Sequence, residues 1–299
     1  GGVLVAASAD GFCYGLDAAT GDFAWAYLVD TEVEGSPVVG EFQTVFLGAQ
    51  NNTVHALDSQ TGEALWITNL RTLPGLGTRP TPVSKIVAGL ALTDDGLLLV
   101  PSQDGLLYAL DTIDGQLAWT FDAVGDFMSQ PVIDDEGNIY LGCRDSLLYC
   151  LDRDGLYRWA ASVGPVYYSS PALGRDGSVF IAGYNADAQG TTLYHFDRNG
   201  APLDDLTIPA INDSSPLLTP DGFLYIGFAD GTLRQYDVTE PPLESPWPLF
   251  GQTPRREANR ATGYRRPFAA WAVDHLGEDI LPTLSLALET DGDGSALGT

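Results

Sequence analysis

Six copies of a unit about 40 residues long, each with four short β-rich runs, predict an all-β chain folded as a β-propeller of about six four-stranded blades. The first observation is a recurrent phrase ending in aspartate. It reads DGFCYGLD (10–17), NNTVHALD (51–58), DGLLYALD (104–111), DSLLYCLD (145–152), GTTLYHFD (190–197) and DGTLRQYD (230–237). Its final aspartates, Asp17, Asp58, Asp111, Asp152, Asp197 and Asp237, are spaced 41, 53, 41, 45 and 40 residues apart. The longest interval holds the Pro/Gly-rich insertion NLRTLPGLGTRPTP. The second observation is turn chemistry at fixed offsets, and the third is the absence of convincing helical periodicity before residue 250.

Each unit resolves into strands in order. A start built on a small or polar residue and proline comes first: SPVV (36–39), QPVI (130–133), SPAL (170–173) and SPLL (215–218). A β-rich run follows: VFLG, LLLV, IYLG, VFIA or LYIG. The aspartate phrase is the third strand, and the fourth ends near a tryptophan. Asp10-Gly11, Asn51-Asn52, Asp104-Gly105 and Asp230-Gly231 are expected to form two-residue hairpin turns at positive φ. Asp95-Gly96, Glu136-Gly137, Asp176-Gly177 and Asp221-Gly222 are expected to do the same one turn earlier.

At the ends of the third strands the residues become specific. DAATGDFAW (17–25), DSQTGEALW (58–66) and, with one substitution, DTIDGQLAW (111–119) resemble the tryptophan-docking motif of PQQ-like (pyrroloquinoline-quinone-like) repeats, a β-propeller family of secreted bacterial proteins. The fourth copy, Asp152 to Trp159, is one residue shorter, and the fifth keeps Asp197 and Gly200 without the tryptophan. The resemblance implies that Trp25, Trp66, Trp119 and Trp159 dock between adjacent blades. It spans residues 1–240, taken as the propeller. Residues 241–275 read as a closing segment with an Arg-rich loop, and 276–299 as a tail. SPWPLFG (245–251) and ATG (261–263) resemble a segment that closes such bacterial propellers.

Charge narrows the partners. Forty acidic residues against 14 basic ones give a net of −26, and Lys85 is the single lysine. Such a surface repels phosphate backbones and anionic lipid, so neither nucleic acid nor a membrane surface is an expected partner. No run of 18 apolar residues is present, so no membrane insertion is expected. The segment GGVLVAASADG has neither a basic n-region nor a cleavage site, so an export signal is expected to have been removed already. The resemblance implies a bacterial protein that is secreted or on the cell surface, with the periplasm as the alternative.

Catalytic chemistry finds little support. Within the resemblance, the enzyme class is the quinoprotein dehydrogenases, which add eight blades, a vicinal cysteine pair and a Ca²⁺ site beside the quinone. Here the repeats number six, and Cys13, Cys143 and Cys150 form no adjacent pair, CxxC or haem motif. All three are expected to be buried small hydrophobes. His55, His195 and His275 lack metal-ligand spacing, and Asp94-Asp95 and Asp134-Asp135 read as solvated turns. The chain is therefore expected to be non-catalytic and without a cofactor: an extracellular structural or protein-interaction module. The alternatives are a ligand- or glycan-binding propeller and, behind it, a quinoprotein dehydrogenase.

Three features of the last 60 residues stand out. Arg255, Arg256, Arg260, Arg265 and Arg266 place five cations within 12 residues, suited to docking on an acidic propeller. Asp291-Gly-Asp293-Gly resembles a terminal Ca²⁺-binding segment of large secreted bacterial proteins, so Ca²⁺ at Asp291 and Asp293 is the one metal site the sequence offers. In TLSLALET (283–290), Leu284, Leu286 and Leu288 alternate with smaller or polar residues, the period of a half-buried strand. GGVLV reads as the second strand of its blade, and the sixth blade runs into Pro241-Pro242 without a docking tryptophan. Two blades are thus expected to lack a strand, which the tail or an outside strand would complete. Exchange between copies would give a homopolymeric filament; a seventh blade follows if the missing strands come from elsewhere.

Overall fold

The computed structural model describes residues 2–74, 85–212 and 214–238. Six antiparallel sheets succeed one another along the chain, each joining its strands in sequence order. The first holds β1 (Val3–Ala7), β2 (Phe12–Asp17) and β3 (Phe23–Leu28). The second holds β4 (Val38–Val39), β5 (Thr44–Gly48), β6 (Thr53–Asp58) and β7 (Ala64–Asn69). The third holds β8 (Ala91–Leu92), β9 (Leu97–Pro101), β10 (Leu106–Asp111) and β11 (Leu117–Asp122). The fourth holds β12 (Val132–Ile133), β13 (Ile139–Gly142), β14 (Leu147–Leu151) and β15 (Tyr157–Ser162). The fifth holds β16 (Ala172–Leu173), β17 (Val179–Asn185), β18 (Gly190–Phe196) and β19 (Pro202–Ile208), and the sixth β20 (Leu217–Leu218), β21 (Phe223–Gly227) and β22 (Leu233–Asp237). Four blades thus have four strands and two have three among the described residues. A single 3₁₀ turn, Leu70–Thr72, is the one helical element there.

Burial explains the apolar runs. β5 and β13 are buried at every position, because each lies between the faces of neighbouring blades. The outer strands β7 and β11 are only partly covered. The largest core cluster joins Phe46 and Val54 of the second blade, Leu98 and Leu107 of the third, and Ile139 and Leu141 of the fourth. It is a core between sheets rather than within one.

The hairpins differ from expectation. They are three-residue loops with one left-handed residue, not two-residue turns. Around Asp10-Gly11 the Ser8 N–H donates to Phe12 O (3.0 Å) and the Gly11 N–H to Ser8 O (3.3 Å). The same pair of bonds recurs at Ala49/Thr53, Ser102/Leu106 and Phe228/Thr232, with Asn52, Gly105 and Gly231 at φ 66, 84 and 85°. It recurs in the earlier turns at Thr93/Leu97, Asp134/Asn138, Gly174/Ser178 and Thr219/Phe223. A type I turn followed by a left-handed residue needs one positive φ, which frees the preceding aspartate for another task. Asp10, Asp104 and Asp145 each accept the N–H two residues on and the hydroxyl of Tyr14, Tyr108 or Tyr149 four residues on.

A second correction concerns Asp134. It is buried rather than solvated, accepting from the Asn138 N–H (2.7 Å), Asn138 Nδ2 (2.8 Å), the Glu136 N–H (3.0 Å) and the Tyr140 hydroxyl (3.0 Å). Four donors make it a structural anchor of its turn. Asp94 and Asp95 are exposed, as expected of a turn.

Around the axis, three of the residues preceding inner-strand prolines, Gln130, Ser170 and Ser215, link neighbouring blades. The Gln130 N–H donates to Ser170 Oγ and the Ser170 N–H to Ser215 Oγ, each at 2.9 Å. The Gln130 side-chain amide donates to the Leu90 carbonyl of the blade before it. Proline disfavours the helical region for the residue before it, in keeping with extended backbone at these positions.

Candidate interaction sites: the blade joints and the loop face

Each docking tryptophan is built by two local devices. A β-bulge interrupts the pairing of third and fourth strands in each of the first five blades, for example between Ala56 and Leu57. At the bulge the tryptophan sits opposite a small residue: Trp25 opposite Gly15, Trp66 opposite Ala56, Trp119 opposite Ala109 and Trp159 opposite Cys150. The ring then lies against the turn of the next blade. A Cβ on Gly62, at φ 73°, would sit 2.5 Å from Trp25 Cε3. Gly115, Gly155 and Gly200 stand in the same relation to Trp66, Trp119 and Trp159.

Polar bonds fix these rings. Trp25 Nε1 donates to Ser59 O (3.0 Å), Trp66 Nε1 to Thr112 O (3.1 Å) and Trp159 Nε1 to Arg198 O (3.1 Å). Trp119 Nε1 is buried and has no partner among the described residues. The receiving turns are organised by the repeat aspartates. Asp17 accepts the N–H groups of Ala19 and Thr20, and Asp58 those of Gln60 and Thr61. Those backbone bonds hold both carboxyls below the ordinary aspartate range.

The reactive side-chain types are enclosed. Burial pushes the Cys13, Cys143 and Cys150 thiols up to about 12, so they stay protonated. Cys150 takes the small position beneath Trp159. His55, 5% exposed, lies between the Tyr27 hydroxyl (3.0 Å from Nδ1) and Thr53 Oγ1 (2.7 Å from Nε2), and burial lowers its pKa to about 4. His195 stacks on Phe180 at 4.1 Å and meets Asp204 at 2.7 Å. No group of three or more His, Cys, Asp or Glu side chains could hold a metal among the described residues.

Where the connections between blades meet, two cavities stand out among the described residues. One, of about 390 Å³, lies over the axis and is lined by Glu34, Ser36, Met128, Gln130, Ser170 and Ser215 among others. The second, of about 230 Å³, lies over the fifth blade between Pro165, Tyr167, Tyr184, Ile211 and Asn212. Tyr168 belongs to both walls. These connections vary in length and share no phrase, so the sequence did not single out Tyr167 or Tyr168. Two adjacent tyrosines between repeats, with no partner in the repeat pattern, are the available signal. The remaining site residues, Arg255, Arg256, Arg260, Leu284, Leu286, Leu288, Asp291 and Asp293, lie outside the described residues.

Successive antiparallel blades joined by tryptophans on the following turn define a β-propeller of PQQ-like repeats. A family model described as outer membrane protein assembly factor BamB matches residues 1–92 and 81–219, and the chain belongs to that family. Among curated relatives, BamB of Yersinia pestis is 28% identical over 131 residues, 44% of this chain. That match spans about a third (31%) of the relative's length. Among solved structures, BamB from Moraxella catarrhalis has a TM-score of 0.64 at 19% identity, covering 80% of this chain and 71% of that one. A europium-containing methanol dehydrogenase has a TM-score of 0.68 at 14% identity, covering 82% and 68%. Both structural likenesses concern the fold alone. No helix among the described residues is long and apolar enough to cross a membrane.

Proposed function

We propose that this chain is a non-catalytic scaffold for protein assembly in the bacterial cell envelope, with its blades as a rigid platform and its partners being proteins. The observation that carries this reading is the family match over most of the chain, in a family named for assembly of outer membrane proteins. The enclosure of the reactive groups supports it further. A thiol held near 12 is no nucleophile at neutral pH, and a histidine held near 4 by enclosing walls is a poor proton shuttle. The scaffold needs no cofactor. With pyrroloquinoline quinone and Ca²⁺ added, the purified protein is expected to oxidise neither alcohols nor aldoses; turnover with stoichiometric quinone would overturn the non-catalytic reading.

Self-assembly is the finer part of the proposal. Residues 283–290, with Leu284, Leu286 and Leu288 on one face, add a strand to a blade edge by β-augmentation, in their own chain or in the next copy. Exchange between copies is head-to-tail and propagates a filament. The Arg255–Arg256–Arg260 cluster then docks on the acidic surface. Removing residues 280–299 and measuring mass by light scattering tests this. Loss of a large assembly supports exchange, and loss of folding in a monomer supports closure within one chain. If neither size nor stability changes, the tail is not a blade strand.

A second reading is a ligand-binding propeller, favoured by one observation: Tyr168 stands half-exposed where the two loop-face cavities meet.

A further inference from the structure

The turn of the first blade is built to receive a ring, and no described ring lies on it. Asp17 accepts the N–H groups of Ala19 and Thr20, as Asp58 does those of Gln60 and Thr61, and Gly21 lies at φ 77°. A Cβ on Gly62, Gly115, Gly155 or Gly200 would press on the incoming tryptophan at 2.4–2.6 Å. A Cβ on Gly21 would meet no described atom within 4 Å. In three joints the indole N–H donates to the carbonyl one residue past the repeat aspartate, so the counterpart here is Ala18 O.

The sheet face beside that turn is uncovered too. Val3, Val5, Ala7 and Cys13 point to the second blade, in or against the core cluster that contains Leu47 and Leu57. The pairs Leu4↔Leu16, Ala6↔Tyr14 and Phe12↔Leu28 therefore lie on the opposite face. There Leu4 and Leu28 are 57% and 55% exposed, and Phe12, Tyr14 and Leu16 are partly buried. The same positions in the next three blades are Val45 opposite Leu57, Leu98 opposite Leu110 and Ile139 opposite Leu151. All six are fully buried, as a face covered by the preceding blade must be. An apolar sheet face beside a glycine-floored turn suits an indole carried on a strand.

The sequence itself holds a candidate occupant. Of its six tryptophans four are docked, and Trp247 and Trp271 lie outside the described residues. Trp247 comes soon after the sixth repeat aspartate, ten residues past Asp237, where docked tryptophans follow theirs by seven or eight. Gln235, bonded to the Tyr225 hydroxyl at 2.9 Å, occupies the position that is Gly15, Ala56, Ala109 or Cys150 beneath a docked ring. Trp247 thus has no small residue to lie over in its own blade. Its two or three additional residues give about 7–10 Å of reach beyond it. On the same chain it meets the first blade at an effective concentration on the order of millimolar, above that of a free copy in dilute solution. We propose that Trp247 docks on the first blade of its own chain, its ring against Gly21 and its Nε1 donating to Ala18 O. The inference goes beyond the assembly reading and does not use residues 283–290.

The test uses the full chain labelled with ¹⁵N-tryptophan, with Trp247→Phe and Trp271→Phe to assign the two indole N–H signals. The Trp247 indole N–H is expected to exchange with water at least about tenfold more slowly than that of an exposed tryptophan. Gly21→Ala is expected to shift that signal and speed its exchange, leaving the Trp271 signal in place. Should Gly21→Ala fail to fold, backbone exchange at residues 14–21 is read in Trp247→Phe, where it is expected to quicken. A Trp247 signal that exchanges freely overturns the docking. A response of Trp271 in place of Trp247 overturns the choice of ring. Protection that is lost on dilution, together with a fall in mass by light scattering, places the joint between copies and overturns docking within one chain. Each outcome is separable from the assembly reading, because deletion of residues 280–299 leaves Trp247 in the chain.

Discussion

Trp66→Ala is expected to destabilise the protein by about 3–5 kcal/mol, in the range of large-to-small changes at packed aromatic positions. The ring fills the joint between the second and third blades. It lies 5.7 Å from the Phe46 ring, rests on Gly115 and donates Nε1 to Thr112 O. Gly115 cannot move in to fill the void. Its turn is tied to its own blade through Asp111 O (2.9 Å), and its carbonyl is held by Thr68 Oγ1 (2.8 Å). A rigid wall limits collapse, which keeps the cost within that range although the ring is itself partly exposed. Trp119→Ala is expected to cost less within the same range, since Trp119 Nε1 has no hydrogen bond to lose among the described residues. Urea unfolding followed by circular dichroism measures both. A Trp66→Ala midpoint within error of the wild type would show that the ring does not hold the joint.

Acid acts on the neighbouring joint through His55. Its folded pKa of about 4 lies below the ordinary value of 6.5, so the unfolded chain takes up the proton first as pH falls. Stability from the neutral, buried ring is therefore complete above pH 6.5 and declines between pH 6.5 and about 4. By proton linkage the loss reaches about 3 kcal/mol. The 40 acidic groups work the other way over part of this range, because their mutual repulsion falls as they neutralise. The difference between wild type and His55→Gln isolates the histidine. The wild type is expected to lose stability relative to the variant from pH 6.5 to 4 and to hold a constant difference above 7. A difference that does not vary with pH would place His55 in a solvated setting.

What the sequence made legible is what the blades repeat. The aspartate phrase, the apolar second strand and the Gly-containing turns recur because each blade solves the same packing problem, and repetition exposes them. Trp25, Trp66, Trp119 and Trp159 stood out for the same reason. The bulge that sets each tryptophan over Gly15, Ala56, Ala109 or Cys150 was not legible, since one extra residue in a strand leaves the alternation intact on either side. Asp134 was misread because its four donors come together only when the turn closes. The cavity over the fifth blade was hidden because its walls belong to connections between blades, where no period enforces a pattern and Tyr168 and Asn212 come to one cavity only in the folded blade.

The blade joints carry an implication for counting. Trp25 rests on the turn holding Gly62, Trp66 on that of Gly115, Trp119 on that of Gly155 and Trp159 on that of Gly200, always one blade onward. The axial bonds from Gln130 to Ser170 and from Ser170 to Ser215 also reach only one blade onward. No blade carries information about how many others there are. Copying one unit would give the new blade a tryptophan for its successor and a glycine for its predecessor, leaving every seam furnished. Ring size in such a chain is a global property, set by curvature and by whatever joins the first edge to the last.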